Sequence, residues 1–248
     1  LELVTDQTFQ LNRTNKYKLS IQVCLDGFSF SVVSTAENRL MALKSIPVTI
    51  SSEKFLSRRF DEWVKSEKMV ENSFANVEIH YFTRQFTLVP EEFFQFEKQN
   101  EIANLLFENK NSNQLFHNHL GNLKADLIAA IPADLILKFD SIFEKYSLFH
   151  SAVGLLQKST EQFGEGVACM LNFYRSSFFT ALLKNGNLLL ANSYNYHHPN
   201  DVLYYTMTIL EQHQLQANNC RLVLSGNISE DDEKDKMLRR YFDKTQYF

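Results

Sequence analysis

The sequence predicts an α/β protein whose mixed sheets carry helices on their faces and whose basic arrangement occurs twice. Two successions of strand, strand, strand, helix, strand and helix carry this prediction, one in each half of the chain. Hydrophobic residues make up 44% of the 248 residues, which is enough for sizeable cores. No run of about 18 apolar residues occurs, so we expect no membrane span.

Composition also narrows the function classes and the compartment. Lys and Arg total 25 against 29 Asp and Glu, and the resulting net charge of −4 disfavours nucleic-acid binding. Three cysteines are too few for a disulfide scaffold, and we expect reduced, buried thiols. The opening residues have no basic segment followed by an apolar one. We therefore expect a cytoplasmic protein.

The first half begins after an N-terminal extension of residues 1–18. Residues 19–48 have the pattern of three strands. A helix follows, with Ser52 as its N-cap. Its apolar stripe consists of Phe55, Leu56, Phe60, Trp63 and Val64.

Two short strands, over 76–83 and 86–90, are followed by a helix that is predicted to start at Pro90, because proline suits a first helical turn. The aromatic residues of this helix cannot share one stripe, so it either lies between two layers or presents a partner-binding face. They are Phe93, Phe94, Phe96 and Phe107.

The polar stretch 108–121 is predicted to be a loop or hairpin tip, inside an inserted segment near 108–131. A strand, a helix and an apolar segment near 148–156 follow it. The first lobe is therefore placed at 19–150, including the insertion.

The second lobe, residues 151–248, repeats the pattern of the first. Three strands are predicted over 166–196, with Asn185-Gly186 as the strongest hairpin signal in the chain. A helix over 200–214 and a short strand over 221–225 come next.

The end of the second lobe is predicted to be a last helix and a short tail. Ser229 and Asp232 have the spacing of a capping box, so the helix is predicted to start at Ser229. The last six residues are predicted to be either frayed or docked on a neighbouring groove.

The two halves are aligned on similar strand ends: Cys24-Leu25-Asp26 corresponds to Met170-Leu171-Asn172. The duplicated meander followed by helices resembles the ribonuclease-H-like halves of the actin-like ATPase superfamily. The second half is most similar to the pilus-assembly and cell-division members. The whole chain also resembles a bacterial family, domain-of-unknown-function family 3822. The resemblance implies two ribonuclease-H-like subdomains in an actin-like ATPase fold, with a cleft between the lobes.

The superfamily pattern implies two phosphate turns, each close to Asp-x-Gly, where a carboxylate holds a metal ion and the glycine admits phosphate oxygens. The first turn keeps Asp26, but Gly27 comes one position early and Phe28 stands where the glycine is expected. The second turn has Asn172 in place of the acid and Tyr174 in place of the glycine. Only one of the two carboxylates needed for Mg-nucleotide hydrolysis therefore remains.

Other residues are compatible with a nucleotide contact. Arg175 is either a phosphate partner or a solvated hairpin tip. The adenosine loop is interpreted as Ser225-Gly226-Asn227, with asparagine in place of a second glycine. The acids at 230–233 would repel a phosphate at the following helix end, but not a neutral adenine or ribose.

The leading hypothesis is a catalytically degenerate actin-like module that acts as a binding or scaffolding protein, with no cofactor or metal, for an unknown protein partner or a small ligand in the cleft. One alternative is a nucleotide-binding protein or weak ATPase or kinase that uses ATP with Mg²⁺, the metal being held by Asp26. Another is a pilus- or secretion-like assembly component that binds the tail of a membrane protein. The candidate nucleotide-binding residues are Asp26, Gly27, Ser29, Asn172, Arg175, Ser176, Ser177, Ser225, Gly226 and Asn227.

Overall fold

The computed structural model of the protein describes residues 3–107 and 113–248, which divide into two compact units. The first unit comprises the chain up to His119 together with Ala125–Val153. The second comprises Leu120–Lys124 and Gly154–Phe248. Each unit has its own mixed sheet and its own apolar core.

Among the described residues of the first unit, six strands form one mixed sheet. In spatial order its strands are β1 (Val4–Thr5), β4 (Arg39–Pro47), β3 (Gly27–Ser34), β2 (Tyr17–Cys24), β5 (Asn76–Tyr81) and β9 (Ser147–His150). The strands β2, β3 and β4 form an antiparallel meander, whereas β5 runs parallel to β2 and β9 runs parallel to β5. Strand β1 belongs to the predicted N-terminal extension and pairs with β4 at the sheet edge.

Helices α1 (Leu56–Ser66) and α3 (Ala133–Ile142) pack against this sheet through side chains at helical spacing. The ring of Phe60 lies 5.0 Å from that of Phe139 on α3. The predicted cap is wrong in detail. Ser52 precedes a single 3-10 turn, Glu53–Phe55, and its side chain makes no capping hydrogen bond.

A three-stranded sheet is inserted between β5 and α3. Its spatial order is β6 (Phe86–Pro90), β8 (Ala125–Pro132) and β7 (Asn113–Leu120). The predicted loop is wrong for its described part, because that part is strand β7. In the last four residues of β7, exposed His117 and His119 alternate with buried Asn118 and Leu120, and the polar composition of the strand concealed this pattern. Residues 108–112 of the predicted loop lie outside the described residues.

The helix predicted from Pro90 is also wrong over its first half. Pro90 ends β6, opposite Ala125, and two 3-10 turns then precede the helix α2 (Gln99–Leu106). Extended backbone at Phe94 and Gln95 separates those turns. Aromatic side chains lose rotamer freedom in a helix, which disfavours a helix over these residues.

The second unit repeats the architecture. Its strands lie in the order β12 (Asn187–Asn195), β11 (Ser177–Lys184), β10 (Val167–Phe173), β13 (Cys220–Gly226) and β14 (Lys244–Tyr247). The helices are α4 (Ala152–Gln162), which follows β9, α5 (Pro199–Gln212) and α6 (Glu233–Leu238). The order β4-β3-β2-β5-β9 in the first unit and β12-β11-β10-β13-β14 in the second is one topology used twice, as predicted.

Local signals in the second unit have mixed outcomes. The hairpin turn is confirmed, because Asn185 and Gly186 both have positive φ, at 51° and 76°. The capping box is wrong, since Asp232 caps α6 by accepting from the Lys234 N–H. The chain end is neither frayed nor in a groove, since β14 pairs in parallel with β13.

The start of α5 is capped from two sides. His198 is the N-cap and accepts a hydrogen bond from the Asn200 N–H. The carboxylate of Asp201 accepts from the N–H groups of His197 and His198. Asp201 therefore contributes to the cap from the third helical position.

Candidate functional site

The first hairpin of each unit ends in a two-residue turn with the same hydrogen bonds. In the first unit Cys24 pairs with Gly27 across Leu25 and Asp26. In the second, the Tyr174 N–H donates to the Ser177 carbonyl over 2.8 Å and closes a turn of Arg175 and Ser176. The residue that follows the third strand of each meander then contacts the second residue of the turn. The Val48 N–H donates to the Asp26 carbonyl (3.0 Å), and the Tyr196 N–H donates to that of Ser176 (2.9 Å).

The parallel strand beside each hairpin gives the same alignment. Val23 lies opposite Tyr81, and the Phe82 N–H donates to the Val23 carbonyl over 3.0 Å. In the second unit Phe173 lies opposite Gly226, and the Asn227 N–H donates to the Phe173 carbonyl over 2.8 Å. Val23 is therefore equivalent to Phe173, and Asp26 is equivalent to Ser176.

The predicted correspondence between Asp26 and Asn172 is therefore wrong by four positions. Asn172 lies one residue before Phe173, within β10, and matches Gln22 of the first unit. A strand repeats every two residues, so a shift by an even number leaves the buried and exposed faces unchanged. The apolar alternation could not reveal the error. The hydroxyl of Ser176, not the amide of Asn172, occupies the place of the Asp26 carboxylate.

The first turn is covered by the chain that follows β4. The Ile50 N–H donates to the Leu25 carbonyl over 2.8 Å, alongside the bond from Val48 to Asp26. Gly27 has a φ of 129°, and a Cβ there would collide with the Ile46 carbonyl oxygen. This glycine is therefore needed for the close approach of β4. Ser29 lies beyond the turn, in β3, and its hydroxyl donates to Gln22 Oε1 over 3.2 Å.

In the second unit, four predicted residues come together at the carboxyl ends of β10 and β13. The Ser225 hydroxyl donates to Asn172 Oδ1 over 2.9 Å. Gly226 follows Ser225 as the last residue of β13, and Asn227 is the next residue of the chain. Gly226 has a φ of 81°, and a Cβ there would collide with the Phe173 carbonyl oxygen and lie 2.9 Å from Asn172 Oδ1. This glycine serves the contact between two strands of its own sheet.

The remaining predicted residues lie on the hairpin itself. Arg175 and Ser176 are exposed in the turn, whereas Ser177 is buried as the first residue of β11. Asn172 therefore lies beside Ser225, Gly226 and Asn227. Arg175 and Ser176 belong to the hairpin turn instead, and Ser177 begins β11.

Lys234 is a residue at this sheet edge that the sequence did not indicate. Its Nζ is 2.9 Å from Asp232 Oδ2 and lies 5.7 Å from the ring centroid of Phe173 and 5.6 Å from that of Tyr196. Partial burial disfavours ionisation of Asp232, but the hydrogen bonds from Lys234 outweigh it and lower the pKa of this carboxyl. The sequence did not indicate Lys234 because this lysine directly follows the acids at 230–233. One of those acids, Asp232, is its counter-ion.

A second missed residue, Glu53, lies near the carboxyl ends of the strands of the first unit. Its Oε1 accepts a long hydrogen bond of 3.5 Å from the hydroxyl of Tyr81. Burial raises the pKa of Glu53, the hydrogen bond from Tyr81 and the charge of Arg84 opposing it. Burial also raises the pKa of the Cys24 thiol to about 12, which makes this cysteine a poor nucleophile at neutral pH.

At these two sheet edges, Lys234 forms an ion pair with Asp232, and Tyr81 donates a hydrogen bond to Glu53. Within residues 3–107 and 113–248, no group of three or more His, Cys, Asp and Glu side chains is placed to hold a metal ion. In the same residues, no helix is both long and apolar enough to cross a membrane.

Comparison with solved structures defines the class of protein. A protein from Bacteroides thetaiotaomicron with an actin-like ATPase fold and unknown function is 18% identical, with a TM-score of 0.89, over 97% of this chain and 94% of that one. A chain of the PilM–PilN type IV pilus biogenesis complex is 11% identical, with a TM-score of 0.59, over 93% and 88%. The fold is the actin-like ATPase fold, with two mixed sheets flanked by helices.

Comparison with protein families is more specific. The model of the DUF3822 family, described as proteins of unknown function, matches residues 6–245. The chain belongs to this family. No protein of curated function matches the sequence. Both resemblances predicted from the sequence, to the actin-like superfamily and to family 3822, are confirmed.

Proposed function

We propose that this protein is a non-hydrolysing member of the actin-like fold class that acts by binding a protein partner. The observation that carries the proposal is the pair of equivalent two-residue turns. Where hydrolysis of a Mg-nucleotide calls for an acid in both halves, one turn has Asp26 and the other has Ser176.

The backbone at both turns supports the same proposal. The carbonyls of Asp26 and Ser176 accept hydrogen bonds from the residue that follows the third strand of their own meander. Gly27 and Gly226 are each in close contact with neighbouring backbone, which accounts for both glycines without a bound phosphate.

The edge of the second sheet offers little to a triphosphate. Lys234 is held by Asp232, and the Ser225 hydroxyl is directed at Asn172. A phosphate bound to Lys234 would lie beside the carboxylate of Asp232, with Glu233 next in the chain, and both acids would repel it. A neutral ligand would meet no such opposition.

The comparisons supply support for a protein partner. The similar chain of the PilM–PilN complex has this fold within an assembly of two proteins. A fold of this class can therefore serve a binding role, and we propose such a role here.

The test is thermal unfolding and phosphate release with millimolar ATP and Mg²⁺, with ADP and metal-free samples as controls. A ligand at about 100 times its Kd adds about 2.7 kcal/mol to the free energy of unfolding, which raises Tm measurably. We expect no shift and no phosphate release, in the protein and in Asp26→Asn alike. A Mg²⁺-dependent shift that Asp26→Asn abolishes would overturn the proposal in favour of the nucleotide-binding alternative.

A further inference from the structure

Four large apolar side chains are exposed around α2. Phe93 is 68% exposed and Phe96 is 56% exposed in the turns before the helix, and Leu105 (85%) and Leu106 (60%) end it. Single exposed apolar residues are ordinary, but four within the positions 93–106 form a concentration that calls for a covering partner.

The inner side of the same segment is already filled. Ala103 and Phe107 are buried against Ile128 and Ala130 of β8. Phe94 packs against that cluster, and its ring stacks on His117 at 5.4 Å. The exposed side chains therefore stand on a packed framework, which holds them ready for contact.

The charge around these side chains has one dominant sign. Glu91, Glu92, Glu97 and Glu101 are exposed, and Lys98 is the single base between positions 91 and 106. Four acids and one base give this segment a formal charge of −3, against −4 for the whole chain. We call these four glutamates, with Phe93, Phe96, Leu105 and Leu106, the α2 surface.

We propose that the α2 surface docks a basic amphipathic helix of a partner protein, with the apolar stripe of that helix on the exposed Phe and Leu side chains and its Lys or Arg residues facing the glutamates. The inference rests on the proposed function, since it gives the chemistry of the partner. An acid-rimmed apolar surface complements such a helix in both charge and hydropathy. Helix α2 spans about 12 Å, close to the distance between apolar residues seven apart on a docked helix.

The test uses a synthetic peptide of about 18 residues, built of Leu and Lys with Leu at i, i+3, i+4 and i+7, and fluorescence anisotropy as the readout. A second peptide has Glu at every Lys position. The apolar variant is Phe93→Ser/Leu105→Ser, with Leu137→Ser as its control, because Leu137 is 66% exposed on α3 of the same unit. The charge variant is Glu97→Gln/Glu101→Gln, with the exposed pair Glu211→Gln/Glu230→Gln as its control.

We expect the basic peptide to bind and the acidic peptide not to bind. The apolar variant should weaken binding about tenfold, as loss of well-placed anchors does, and Leu137→Ser should have no effect. The charge variant should weaken binding about threefold at low salt, and this difference should vanish near 0.5 M salt.

Two results would overturn the proposal. The first is absence of binding by the basic peptide. The second is an equal loss of peptide affinity in a variant and its control, which would mean general attraction of a cationic peptide to an acidic protein. Neither result bears on nucleotide turnover. Conversely, turnover of ATP would overturn the proposed function and leave the peptide result standing, so the two failures are distinguishable.

Discussion

Gly226 shows how one residue decides the geometry of the candidate site. Its positive φ turns the end of β13 towards Phe173, and its missing side chain lets the two strands touch. The same contact places Ser225 against Asn172. The glycine expected to approach a nucleotide thus has a structural partner within its own sheet.

Gly226→Ala should destabilise the protein. The φ of 81° is unfavourable for alanine, and the added Cβ would collide with the Phe173 carbonyl. We expect a loss of at least about 2 kcal/mol, which lowers Tm by about 4 °C or more in a chain of this length. The control is Gly154→Ala in α4, where a Cβ meets no atom within 4 Å and helix propensity favours alanine. Equal melting temperatures for the two variants would contradict the prediction.

His150 ties stability to pH. It is fully buried at the end of β9, where its Nε2–H donates to the Thr83 carbonyl over 2.9 Å and its Nδ1 accepts from the Ala152 N–H over 3.2 Å. Burial lowers the pKa of His150 from 6.5 to about 4, the hydrogen bond to Thr83 opposing it. The unfolded state therefore binds the proton first, and the contribution of His150, complete above pH 6.5, declines as the pH falls towards 4.

The measurement is urea unfolding of the protein and of His150→Gln at pH 7.5 and pH 5. The variant lacks the hydrogen bonds of His150 at both pH values. In the unmodified protein, the free energy of unfolding additionally falls by about 2 kcal/mol on acidification to pH 5. The destabilisation caused by the substitution should therefore shrink by about that amount. His119→Gln, at a half-exposed position, serves as the control. A difference between protein and variant that is independent of pH would refute the assignment.

At the scale of elements, the packing of α1 decides where the core of the first unit lies. The Phe60 ring meets the rings of Phe28, Trp63 and Phe139 at 5.0 to 5.7 Å. Edge-to-face aromatic contacts of this kind add to the free energy gained by burial alone. The helix is thereby fixed to both the sheet and α3.

Phe60→Ala should cost about 3–5 kcal/mol of the free energy of unfolding, the range for removal of a buried phenylalanine. Phe55→Ala is the matched control, since Phe55 precedes the same helix and is 36% exposed. It should cost less than about 1 kcal/mol. Chemical denaturation of both variants measures the difference, and similar midpoints would contradict the packing described.

At the scale of the whole molecule, one topology occurs twice, but the two copies differ in what they carry. The first contains the inserted sheet and the α2 surface, and it holds Asp26 in its turn. The second has Ser176 in the equivalent place and ends in β14. The two copies therefore share the strand order of the sheet and differ in the residues of the turn.

The charge of the whole chain predicts its colloidal behaviour. The isoelectric point is about 6.0 and the net charge is −4 at pH 7, so repulsion between molecules weakens as the pH falls from 8 to 6. Light scattering should therefore rise near pH 6. Phe93→Ser/Leu105→Ser should scatter less than the unmodified protein there, because it exposes less apolar surface. Scattering that is equal for both proteins at every pH would count against this prediction.

The sequence by itself determined the fold class, because a meander of alternating strands, an amphipathic helix and a further strand are all local patterns. It determined the hairpin turn at Asn185-Gly186, where two successive positive φ angles need these residue types. It also indicated which stretches belong to the candidate site, since glycine and polar residues interrupt apolar strands there.

Only the tertiary structure revealed those strands whose stability depends on pairing with a strand distant in sequence. Strand β7 is too polar to be recognised without its partner β8, and β14 exists because β13 offers a free edge. It also decided the alignment of the two turns. Period-two alternation is unchanged by a shift of four residues, and only the hydrogen bonds to neighbouring strands show that Asp26 matches Ser176.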